Sequence, residues 1–255
     1  MAKGNRNRQQ ARAKLAQMRA LEARRRRRRW LAAGGAVAAA AAAAVGITLA
    51  VTAGSANASP PGLKLASLSS LGTLNAAPSP GPAGSESVPV PSAAPLAGAA
   101  TSANGQPVDG ISCQTSEQTL FHIHAHLTLF VNGAPRQVPA AIGIPGAQTQ
   151  NTPSGPFIAS GRCFYWLHTH APDGIIHIES PVQRTYTLGD FFDEWGQPLG
   201  PNQVGPARGH VTAIYNGQVY RGNPRNISLN AHAQIQLEVG KPLIAPQTIT
   251  FPNGL

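Results

Sequence analysis

The sequence predicts a mainly β domain, a hairpin-built sheet or sandwich with one short helix, preceded by a transmembrane helix and a disordered linker. Three observations carry that reading. Residues 1–29 hold twelve of the 20 lysines and arginines and a single acid, Glu22. Trp30 to Ala53 contains no charged residue, and residues 54–110 are dominated by Pro, Ser, Ala and Gly. From Ile111 the texture changes: aromatics return, and both Cys and all eight His appear amid strand-type alternation.

The basic block 1–29 reads as a cytoplasmic tail. The apolar run 30–53 covers 24 residues. At about 1.5 Å per residue it is long enough for a hydrocarbon core of roughly 30 Å. Arg24 to Arg29 lie immediately before it, so the positive-inside rule keeps the tail in the cytoplasm and sends the rest outside. Trp30 sits where an interfacial aromatic is expected. Two other readings of this segment stand beside the anchor. Ala56-Asn57-Ala58 offers a signal-peptidase site, and Arg27-Arg28-Arg29-Trp30-Leu31 meets a loose twin-arginine pattern. The formal charge of +10 belongs to the tail, because residues 30–255 carry eight basic and nine acidic residues. A basic block beside an apolar span is a topology signal or a lipid contact, so the membrane is the predicted partner and nucleic acid is not.

Residues 54–110 hold no aromatic and only three charges. Such a segment buries too little apolar area by itself to offset its ordering entropy, so it reads as a flexible stalk. The domain follows at 111–255. Phe121 to Val131 alternates as a strand, Asn132-Gly133 is a hairpin turn, and Val138 to Ile144 is the predicted return strand. Cys163 to His170 and Ile175 to Glu179 make a second hairpin around Ala171-Pro172-Asp173-Gly174, where Pro fixes φ and Gly accepts positive φ. Thr187 caps a helix with Asp190 three residues on, Leu188, Phe191, Phe192 and Trp195 form its apolar stripe, and Gly196 ends it. His210 to Tyr215, Asn216-Gly217, Val219 to Arg221 and Ala233 to Val239 complete the strands. His126 to Gly133 and His210 to Gly217 share His, Thr, Asn and Gly at identical spacing, as an old duplication or two similar hairpins would.

The histidines carry the chemistry. In a strand every second side chain shares a face, so His122, His124 and His126 form one row. Around the second turn His168 lies opposite His177, with His170 and Glu179 on the same face. Three imidazoles suit zinc or copper, with an open fourth position for water. Glu179 reads as a ligand, an orienting partner or a general base. The six histidines 122, 124, 126, 168, 170 and 177 are the predicted metal ligands, while His210 and His232 read as structural. Cys113 and Cys163 read as a disulfide, as an exported domain allows. No cofactor other than a metal is implied.

The blocks His168-Thr169-His170, Gly174 to Pro181 and Leu188 to Gly196 resemble a family of exported or membrane-anchored prokaryotic proteins that has no established activity. The resemblance covers roughly residues 111–242 and implies placement rather than chemistry. The sequence therefore predicts a bacterial, single-pass, extracytoplasmic domain that binds a transition metal for capture or sensing. Two alternatives are a metal-dependent enzyme with Glu179 as base and a cell-surface interaction domain without metal.

Overall fold

The computed structural model describes residues 64–99 and 103–255. Among these no helix is long and apolar enough to cross a membrane. The predicted tail and span, 1–29 and 30–53, lie outside the described residues.

The architecture is mainly β with one α-helix. In chain order, β1 (Leu65–Ala66) and β2 (Cys113–Gln114) are short. β3 (Phe121–Val131) is the long central strand. β4 (Ala134–Arg136) returns from it. The turn between them holds Asn132 at φ 51° and Gly133 at φ 75°, the doubly positive geometry that Asn-Gly favours. The return strand is shorter than predicted. Residues 138–144 lie outside any strand, and Val138, Ile142 and Ile144 are buried as loop side chains. Next, β5 (Gln148–Thr152), which is polar, and β6 (Gly155–Ser160), which buries Ile158, form a hairpin with no counterpart in the predicted elements. The predicted strand from Cys163 to His170 is broken into β7 (Phe164–Tyr165) and β8 (Leu167–His168). β9 (Ile175–Ser180) follows the turn as predicted. Gly174 in that turn has φ +90°, and a Cβ there would sit 2.4 Å from the Leu127 carbonyl oxygen, so only glycine fits.

The helix α1 (Leu188–Trp195) forms as its local signals require. Thr187 Oγ1 accepts from the Asp190 backbone N–H, and the Asp190 carboxylate accepts from the Thr187 N–H. Gly196 closes it in the left-handed conformation, and Phe191, Phe192 and Trp195 are fully buried. Then β10 (Leu199–Gly200), β11 (Gln203–Val204) and β12 (Ala207–Arg208) make a small separate sheet. β13 (Val211–Tyr215), β14 (Gln218–Tyr220) and β15 (Ala233–Val239) end the series.

The main sheet runs β1-β14-β13-β15-β3-β9-β8. β15 is antiparallel to β13 and parallel to β3, so the two Asn-Gly hairpins flank it on either side. On its other edge β3 pairs first with β9 and then with β4. Side-chain alternation splits the sheet into two faces. Ala125, Leu127 and Leu129 of β3 and Ile176 and Ile178 of β9 join Phe191, Phe192 and Trp195 in one core cluster. The opposite face carries His122, His124, His126, Thr128 and, across the strand pair, His177 and Glu179.

The described part of the predicted linker is a packed strap, which corrects the expectation of a free stalk there. β1 adds to the β14 edge. Val88 is 0% exposed and Leu96 7%. The Leu96 N–H donates to the Gln137 carbonyl, the Asn75 N–H donates to the Leu243 carbonyl, and Trp195 Nε1–H donates to the Gly98 carbonyl. The composition argument failed because the strap buries its few apolar groups against the domain rather than against itself. Its prolines also lower the entropy lost on ordering.

Candidate metal centre

Two adjacent strand pairs deliver the histidines to one place. In the β3–β9 register His122 faces Glu179 and His124 faces His177. In the β8–β9 register His168 faces His177, the pairing that the position of the turn predicted. His177 thus stands in the middle strand with imidazoles on both sides. His124, His168, His170, His177 and Glu179 are all buried, while His122 is at the open edge with its side chain 38% exposed.

On one side four atoms form a closed ring. His122 Nε2 and His124 Nε2 are 3.1 Å apart, and His124 Nε2 and His177 Nδ1 are also 3.1 Å apart. Glu179 Oε1 lies 3.1 Å from His122 Nε2 and 3.5 Å from His177 Nδ1. Four nitrogen or oxygen ligands held tetrahedrally at zinc bond lengths stand about 3.3 Å from one another, so these side chains can hold a metal ion with little movement.

On the other side His168 and His170 converge. His168 Nδ1–H donates to the Tyr165 carbonyl at 2.8 Å, and His170 Nδ1–H donates to the Ile158 carbonyl at 2.6 Å. A carbonyl accepts only, so both Nδ1 atoms carry protons and both neutral rings present a bare lone pair at Nε2. Those two Nε2 atoms are 3.1 Å apart. Backbone carbonyls that fix the tautomer of an imidazole are the usual partners of metal-binding histidines. Phe157 stacks on the His170 ring at 4.7 Å and Phe164 meets the His168 ring edge-on at 5.7 Å, which holds the ring planes. His168, His170 and His177 form a group whose ligand atoms lie within 4.8 Å of one another.

The protonation pattern follows from burial and neighbours. Burial, and then the charge at His177, pushes His124 down to about 3. The same two causes, in that order, hold His168 well below the ordinary value and lower His170. At His177 burial favours the neutral ring, but hydrogen bonds to Glu179 and Glu86 prevail and raise it to about 9. In the absence of metal His177 therefore favours the imidazolium form while His124, His168 and His170 favour the neutral ring. A proton occupies the place a cation would take.

Two participants escaped the sequence reading. Glu86 reaches in from the strap and accepts from His177 Nε2–H at 2.7 Å, which leaves Nδ1 directed at the ring. Glu117, between β2 and β3, places Oε1 3.4 Å from His170 Nε2. Glu86 lay in a segment read as disordered, and Glu117 had no spacing signal to mark it. His126 departs from the predicted set: its Nε2–H donates to the Asp173 carbonyl at 2.9 Å, and it belongs to none of the groups that can share an ion. His232 Nε2–H donates to the Leu255 carbonyl and its ring stacks on Phe251, in keeping with a structural role.

Cys113 and Cys163 form the disulfide that the sequence predicts, with Cα atoms 5.4 Å apart. It joins the segment leading to Glu117 and β3 to the segment leading to β8. No family model, curated protein or solved structure matches the chain.

Proposed function

We propose that this chain is an extracytoplasmic transition-metal-binding protein that captures or senses zinc or copper, tethered to the membrane by residues 30–53. The observation that carries the metal reading is the His168–His170 pair. Its two buried Nε2 lone pairs face each other at 3.1 Å with both Nδ1 protons committed elsewhere, an arrangement that suits a cation between them. The four-atom ring of His122, His124, His177 and Glu179 supports the same reading. An imidazole-rich set with one carboxylate and no Met suits Zn²⁺ or Cu²⁺. The disulfide supports an oxidising compartment, and the basic block before the apolar span supports the topology.

Glu179 stands among the donors, with Oε1 at ligand spacing from two imidazoles. That supports a ligand role over the general-base role and favours capture over hydrolysis. Titration of Zn²⁺ and Cu²⁺ into the chelator-stripped full chain tests the proposal. Tight binding of at least one of them is expected, weakened 100-fold or more in His124→Ala and in His177→Ala. If the wild-type chain takes up neither metal, or the two variants bind as it does, the proposal is lost and the surface-interaction reading gains.

A further inference from the structure

We propose that the cluster holds two ions rather than one, with Glu179 as the carboxylate between them. This rests on the metal-binding reading above and extends it. The first position is the ring of His122 Nε2, His124 Nε2, His177 Nδ1 and Glu179 Oε1, which already supplies four donors. The second lies at His168 Nε2, 3.1 Å from His170 Nε2, where His168 also groups with Glu117 and Glu179.

Three observations separate the positions. First, none of the groups able to share one ion joins His122 or His124 to His168 or His170. In an octahedral site with bonds of about 2.1 Å, even opposite donors lie only about 4.2 Å apart, inside the 4.8 Å within which each group falls. The seven donors therefore do not surround a single point. Second, His177 belongs both to the ring group and to the group with His168 and His170, so the two positions are neighbours. Third, Glu117, His168 and Glu179 form a group of their own. Glu179 Oε1 is engaged with His122 and His177, while Glu179 Oε2 is buried without any hydrogen-bond partner. A buried carboxylate oxygen left unpaired costs free energy unless something meets it, and a second cation would. Glu117 completes that position from the solvent side: its side chain is 39% exposed and lies 3.4 Å from His170 Nε2.

Metal stoichiometry tests the inference. The full chain is saturated with Zn²⁺, desalted and assayed for zinc per chain by mass spectrometry, beside His168→Ala/His170→Ala and Glu117→Gln. Two ions are expected in the wild type and one in the double variant. Glu117→Gln, an exposed position whose change leaves the fold intact, should weaken only the second binding step, by tenfold or more. One ion in the wild type overturns the two-ion arrangement while leaving the metal-binding reading standing. Two ions retained in the double variant place the second ion elsewhere and also overturn it. No zinc in any form overturns both.

Discussion

His126 shows how one residue can share a row with candidate ligands and do something else. It continues the alternation of His122 and His124, but its Nε2–H is held by the Asp173 carbonyl in the turn that Gly174 makes possible. Burial pushes its pKa down to about 4, partly opposed by that carbonyl. The native ring is therefore neutral, whereas an unfolded His takes up a proton near 6.5. Stability from this group is full above 6.5, drains as pH falls towards 4 and changes no further below that. Urea unfolding of His126→Gln beside the wild type at pH 7, 5.5 and 4 checks this. The wild type should lose stability towards pH 4 more steeply than the variant; parallel pH curves would contradict the assignment. Alternation along β3 made the His row legible, but not which members would turn to a metal. That choice depends on what each ring meets across the sheet.

At the scale of elements, the most legible features were those coded by adjacent residues. The Thr187–Asp190 capping box, the Gly196 terminator, both Asn-Gly turns and the His168–His177 register all rest on local chemistry and appear as expected. The loop path of residues 138–144, the β5–β6 hairpin and the strap were not legible. Each is placed by contacts to distant segments, and the strap's own composition argues against order. The strap also matters chemically, because Glu86 orients the central imidazole. Outer partners of metal ligands typically contribute 10–100-fold in affinity. Glu86→Gln should accordingly weaken zinc binding by about that factor, measured by competition against a chromophoric chelator, with the circular dichroism spectrum unchanged. Undiminished affinity would mean that the strap covers the site without tuning it.

For the whole molecule, the fold gathers donors from four separated stretches: the segment before β3, β3 itself, the β8 turn and β9. Together with the strap's Glu86 they converge on one face of the sheet. The disulfide spans a separation of 50 residues and joins two of those stretches. In the chain-entropy model such a link contributes about 4 kcal/mol. The opposite face is filled by the helix and its aromatic stripe, so the hydrophobic core and the polar cluster share strands but not side chains. The central claim is that the histidine face binds a transition metal. Anomalous diffraction at the zinc and copper edges, from crystals of the metal-loaded chain, tests it most directly. The account predicts a peak at bonding distance from His122 Nε2, His124 Nε2, His177 Nδ1 and Glu179. An ordered cluster with no peak, or a peak only at residues outside it, would contradict the account.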